Sequence, residues 1–215
     1  MHLHKEHARE LTFSPAQEVA LLAKAPQPAA DVFVICMDTG MRPVEVCRID
    51  LTEDVKWLEN KLLVPDGKTK ASKREIGMSE RVVEILRRRV RDQSAHKWQR
   101  DSRWGIHFPS SKKGEITHIT SVNKAFAKAK KDAGLPAELV LYSARHTFGT
   151  EFMESTKDLK LTMKTMGHVD VKTAMRYRHP ETGQVGNVIN ERNAKRKSAT
   201  APNGHTFGHS TLRLQ

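Results

Sequence analysis

LVLYSARHTFGTEF, residues 139–152, has the residue types of a helix. In a helix Tyr142 and Arg145 stand at i, i+3 on one face. A phenol and a guanidinium then point the same way. The guanidinium is a planar fork of donors that fits two oxygens of a phosphate. The phenol hydroxyl adds one more donor. Taken alone, such a short pattern recurs readily and describes a helix with a surface arginine and a half-buried tyrosine. Its weight comes from the segments on either side.

Upstream, Ser14-Pro15 opens a helix with a hydroxyl cap and proline at the first helical position. Pro26 and Pro28 stop it. ADVFVICMDTG follows as a second helix, apolar almost all round and therefore central, ending near Gly40. A short helix PVEVCRI starts at Pro43 and leaves Arg42 at a junction between two helices. DVKWLENKLLVPDG and KREIGMS then alternate, with Asn60 and Asp66-Gly67 as turns, and predict about three antiparallel strands. A helix over 79–100 carries Arg87, Arg88, Arg89 and Arg91, expected as a solvated face, with DNA-backbone contact as the alternative. A loop around IHF leads to a helix over 121–133 bearing Lys124, Lys128, Lys130 and Lys131. Downstream of the opening stretch, DLKLTMKTMGH and DVKTAMRYRHP predict two short helices separated near Gly167-His168. The fold class is α+β: one mainly helical domain with a small three-stranded antiparallel sheet.

The chain has 215 residues with 38% hydrophobic content, enough for one sizeable core. Its formal net charge is +12 and its pI about 9.9. That excess favours a polyanionic partner, nucleic acid first. Two cysteines, Cys36 and Cys47, lie in apolar segments and fit reduced packing residues. No stretch nears the roughly 20 apolar residues of a membrane span. The N-terminus has no apolar signal core, so a cytoplasmic location without membrane contact is expected. Histidines are scattered and no metal-ligand spacing appears; Glu45, Asp50, Glu53 and Asp54 are the nearest approach to a hard-cation cluster. No metal or other cofactor is expected.

Four fragments stand in order: TGMRPVEVCRI, KTKASKREIGMS, YSARHTFGTEF and MGHVDVKTAMRYRHP. They resemble the catalytic domain of the tyrosine recombinases, also called the phage integrase family. Thr39-Gly40-Met41-Arg42 with Glu45 is similar to the first family box, Arg145 to the third, Gly167-His168 to the fourth, and Tyr177 stands nine positions after His168. The resemblance covers roughly residues 12–180.

The resemblance implies a site-specific recombinase that cuts DNA by tyrosine attack on a phosphodiester, without metal or ATP. Arg42 and Arg145 would neutralise charge on the non-bridging oxygens. His168 would donate to the phosphate and help with the tyrosine proton, and Tyr177 would be the nucleophile. A hairpin lysine would protonate the departing 5′ oxygen; Lys70 is favoured, Lys68 second, with Lys73 also present. Glu45 would support Arg42 structurally. Tyr142 stands where the family has histidine; it can donate a hydrogen bond but cannot act as a cation. Lys68, Lys73, Arg74, Lys124 and Lys128 are the candidate DNA contacts.

The implied partner is double-stranded DNA, bound as a homo-tetramer by a protein that is monomeric when free. Residues 1–13 are expected as a flexible segment, 14–182 as the catalytic domain, 183–197 as a C-terminal helix or tail docking on a neighbouring protomer, and 198–215 as disordered. Members usually carry an N-terminal helical domain ahead of the catalytic one; the sequence begins just before the catalytic part, and weak, strongly salt-dependent DNA binding is expected of it. Two other readings stay open: a DNA-binding protein that kept the scaffold and lost activity, and a type IB topoisomerase-like relaxing enzyme.

Overall fold

The computed structural model describes residues 11–64, 73–95, 103–106 and 119–168. All of them fall within one compact unit, Met1–Arg178. Seven helices and three strands make up the described residues: α1 (Pro15–Leu22), α2 (Gln27–Thr39), α3 (Pro43–Cys47), β1 (Val55–Lys56), β2 (Lys61–Val64), β3 (Arg74–Gly77), α4 (Glu80–Ala95), α5 (Asn123–Asp132), α6 (Leu141–Thr156) and α7 (Leu159–Met166). The α+β expectation holds, including the sheet, which is antiparallel in the order β1-β2-β3.

Helix α2 is the hub. Nine of its residues are buried, including Val32, Phe33, Ile35 and Cys36, as its nearly all-apolar sequence requires. Each large apolar side chain taken from water here stabilises the fold by about 1.5–3 kcal/mol. Around α2 pack α3, α4, α5 and, most extensively, α6. Phe13, Phe33 and Phe126 form an aromatic cluster, with the Phe13 and Phe33 rings edge-to-face at 5.0 Å. Residue 13, expected within a flexible N-terminal segment, is instead part of the core. Phe13 is buried and its backbone N–H donates to Thr147 Oγ1 at 2.8 Å. One aromatic ring that fits a core slot outweighs the polar character of the residues before it.

The helix ends are built as the sequence predicts. Ser14 caps α1 reciprocally with Gln17. Gly40 ends α2 in the left-handed region, at φ 65°, with its N–H bonded to the Cys36 carbonyl. Gly167 ends α7 in the same way. At Gly40 an added Cβ would fall 2.4 Å from the Phe148 ring, so α6 also lies too close for any side chain. These two glycines fix the directions in which Arg42 and His168 leave their helices.

The arginine-rich helix departs from expectation. Arg88 and Arg89 turn inward onto the buried carboxylate of Asp31 on α2, Arg89 Nε at 2.7 Å from Oδ2. Arg87 and Arg91 stay exposed. A carboxylate sealed in α2 costs too much to leave unpaired, and it draws in the two cations within reach. Residues 96–100, part of the helix expected over 79–100, lie outside the described residues.

Candidate functional site

Arg42 occupies the extended residue between α2 and α3, with φ −72° and ψ 144°. Its backbone N–H donates to Glu45 Oε2 at 2.8 Å and its Nη1 donates to Oε1 at 2.7 Å. One carboxylate thus caps α3 and orients the arginine side chain. Arg42 is half-buried, at 35% side-chain exposure, which leaves its guanidinium reachable from outside.

Arg145 comes from the first turns of α6 and is fully buried, the largest such side chain among the described residues. Its Nη1 donates to the Gly40 carbonyl, and its Nη2 donates to the Met166 carbonyl at 2.6 Å. Nη2 also lies 3.0 Å from His168 Nε2. The two helix-ending glycine turns are thereby stitched to one guanidinium. Its Nε has no hydrogen-bond partner among the described residues. Burial first, then the charges of Arg42 and Arg74, push its pKa down, against the opposing pull of Tyr142 and Glu45.

Tyr142 and Arg145 are neighbours along α6 but differ in depth. Tyr142 sits at the rim, 37% exposed, with its ring edge-on to His146 at 5.1 Å. Arg42 and Tyr142 line the same cleft, of about 620 Å³, whose wall includes Val44, Cys47, Phe126 and Leu139. His168 follows Gly167 at the end of α7 and is partly buried. Its pKa is lowered to about 4 by burial, then by Arg145, Arg42, Arg74 and His146. At neutral pH its imidazole is uncharged.

Arg74, expected among the DNA contacts, is turned the other way. It is buried on β3, and its Nη2 donates to Glu45 Oε2 at 2.8 Å. Its Nε donates to the Thr165 carbonyl at the end of α7, also at 2.8 Å. The correction has a plain cause. Arg74 and Ile76 alternate with exposed Glu75 and Gly77, so both lie on the inward face of the strand. That alternation was the available signal, and the side chain's charge hid it. The Glu45 pKa nonetheless falls: burial raises it, but hydrogen bonds and charge from Arg74 and then Arg42 outweigh that.

The described residues therefore gather Arg42, Glu45, Arg74, Tyr142, Arg145 and His168 into one region. Three guanidinium groups there face one carboxylate. Lys73, Lys124 and Lys128 are exposed, Lys128 with its Nζ 2.5 Å from Asp132. Lys68, Lys70 and Tyr177 lie outside the described residues, as do residues 183–215. Among the described residues no group of three or more His, Cys, Asp or Glu could hold a metal ion, and no helix is long and apolar enough to cross a membrane.

Seven helices beside a small three-stranded antiparallel sheet, among the described residues, give the fold of tyrosine recombinase catalytic domains, and this fold brings three arginines, a histidine and a tyrosine into one region. The family model for the phage integrase family matches residues 12–184, and the chain belongs to that family. A tyrosine recombinase of Agathobacter rectalis is 22% identical over 160 residues, covering 74% of this chain and 50% of that protein. XerD of Staphylococcus saprophyticus is 26% identical over 157 residues, covering 71% of this chain and 50% of its own length. The chain thus spans about half the length of these relatives. Among solved structures, the Tn1549 transposon integrase in complex with transposon right-end DNA shares the fold, with a TM-score of 0.69 at 20% identity, over 86% of this chain and 66% of that one.

Proposed function

We propose that this chain carries the catalytic domain of a site-specific DNA recombinase. The Tyr177 oxygen attacks a backbone phosphorus, a phosphotyrosyl bond forms to the 3′ phosphate, and the bond to the 5′ oxygen breaks. Lys70, which falls between β2 and β3 in the sequence, gives its proton to that leaving oxygen. The covalent link keeps the bond energy, so rejoining needs no ATP. Strand exchange then follows when a different 5′ hydroxyl attacks.

The observation that supports this reading most is the surplus of fixed positive charge, with Arg42, Arg74 and Arg145 set against Glu45 alone. Such a pocket lowers the energy of a transition state that builds charge on the non-bridging oxygens. It performs the neutralisation for which other nucleases employ a hard cation, so the reaction is metal-independent. The neutral His168 lies beside the same guanidinium groups, where it can donate once a phosphate is seated. Tyr142 adds a hydroxyl at the rim. The protein acts on double-stranded DNA in the cytoplasm, as a monomer when free and a homo-tetramer on its sites.

The test is a nicked duplex bearing the attachment sequence from beside the protein's own gene, incubated in EDTA. Wild-type protein is expected to form a covalent DNA adduct, and Tyr177→Phe to bind without forming one. Binding with no wild-type adduct makes the chain a DNA-binding protein on this scaffold. Relaxation of supercoiled plasmid with no sequence preference and no strand exchange makes it a topoisomerase-like enzyme instead.

A further inference from the structure

Arg74 is buried and a few residues from the candidate leaving-group lysines, and beyond its share of the pocket's charge the reaction as written gives it no part. Its contacts are specific. Nη2 and Nη1 grip both oxygens of Glu45, at 2.8 and 3.3 Å, while Nε holds the Thr165 carbonyl at 2.8 Å. Gly167 packs against it so closely that an added Cβ would meet Arg74 Nη1 at 3.0 Å. The same Glu45 oxygens hold Arg42 from the other side. The next carbonyl along, Met166, holds Arg145, and His168 follows two residues later.

Two physical consequences follow. A two-pronged grip fixes the plane of the Glu45 carboxylate, and therefore the direction of Arg42. Arg74 also offsets the Glu45 charge. Without it, Glu45 would cancel Arg42, and the pocket would lose much of its pull on a phosphate. With it, Glu45 orients Arg42 and the pair keeps a net positive charge.

We propose that Arg74 is a positioning residue of the phosphate pocket: its fork sets and neutralises Glu45 and pins the last turn of α7, so that Arg42 and His168 face one phosphate. The proposal rests on the reading of this region as a phosphodiester site. Arg74 also joins β3 to α3 and α7, the two other elements it bonds, through a single side chain.

The experiment uses the full chain as wild type, Arg74→Gln, Arg74→Lys and the double variant Arg74→Gln/Glu45→Gln. The double variant leaves no unpaired buried carboxylate, so it guards against simple unfolding. Two quantities are read by NMR: the titration of the His168 imidazole and the affinity for inorganic phosphate. His168 is faced by Arg145, Arg42, Arg74 and His146, so removing one cation moves its titration upward.

Arg74→Gln is expected to raise the His168 midpoint and weaken phosphate binding about tenfold, or about 1.4 kcal/mol. Arg74→Lys is expected to restore the midpoint but not the affinity, because a single ammonium cannot reproduce the fork. A folded Arg74→Gln protein that binds phosphate like wild type overturns the proposal, as does a double variant that binds no better than Arg74→Gln, since removing Glu45 should then relieve the lost neutralisation. Wild-type protein blind to phosphate counts against the phosphate-site reading instead. In that case the titration still decides on Arg74, and an unmoved His168 in Arg74→Gln overturns its role.

Discussion

Arg145 Nη2 lies 3.0 Å from His168 Nε2, and since a guanidinium only donates, the imidazole nitrogen is the acceptor. The DNA-free protein therefore holds His168 neutral, with its proton on Nδ1. Catalysis as proposed asks the same ring to donate to a phosphate. An incoming phosphodiester, by its negative charge, raises the imidazole pKa so that the ring can take a second proton from solvent and donate.

This pairing gives stability a pH dependence of known sign. The His168 pKa is held near 4, below the ordinary value of about 6.5. Between these two pH values the unfolded chain takes up a proton that the folded one refuses. The contribution is fully present above about pH 6.5 and is lost as pH falls through that window. Partial exposure screens the effect. Melting midpoints compared between pH 7 and pH 5 should fall further for wild type than for His168→Gln. Equal losses in the two proteins would show that His168 is not depressed.

Tyr142 sits at the rim, and its hydroxyl can reach solvent or a ligand. Tyr142→Phe keeps the ring contact with His146 and removes only the oxygen. Stability should stay within about 0.5 kcal/mol of wild type. The rate of covalent adduct formation should fall about 10- to 100-fold, the worth of one hydrogen bond to a charged group. Tyr142→His should retain a donor and recover part of that loss. Single-turnover cleavage separates these outcomes, and an unchanged rate in Tyr142→Phe removes Tyr142 from the pocket's chemistry.

How much of this was legible in the sequence depended on local signals. Proline, serine and glycine at helix ends announced α1, α2 and α3, and alternation announced the sheet, because capping and strand period act over a few residues. The order of four short patterns singles out Arg42, Arg145 and His168, which the structure brings into one region. Where Arg74, Arg88 and Arg89 point was not found. Their direction is set by two carboxylates, the partly buried Glu45 and the buried Asp31, that stand 29 or more positions away. A run of arginines has the same local pattern whether it faces water or a sealed acid. Phe13 was missed for the same reason, since its core slot is formed by Phe33 and Phe126.

Gly40 carries two separate demands, and a single substitution tests both. Its φ of 65° is strained for any residue with a Cβ, and that Cβ would stand 2.4 Å from the Phe148 ring. Gly40→Ala should cost about 1–2 kcal/mol for the backbone and about 1–3 kcal/mol for the clash. Phe148→Leu in the same chain should return part of the second cost and none of the first. Denaturant unfolding of wild type and the two variants checks this. A Gly40→Ala protein as stable as wild type would mean that α2 and α6 are free to separate at this end.

DNA affinity should depend on salt in a residue-specific way. Lys73 and Lys124 are exposed, so each is available to a phosphate. Arg81 is partly exposed too, but Glu18 and Asp38 already occupy it. Each phosphate neutralised contributes about 0.9 to the slope of log affinity against log salt. Lys73→Ala and Lys124→Ala should each lower the slope by close to that amount, whereas Arg81→Ala should leave it alone. Anisotropy titrations on a labelled duplex between about 50 and 200 mM salt measure it. Equal slopes for wild type and both lysine variants would place the DNA on another face of the domain, away from β3 and α5.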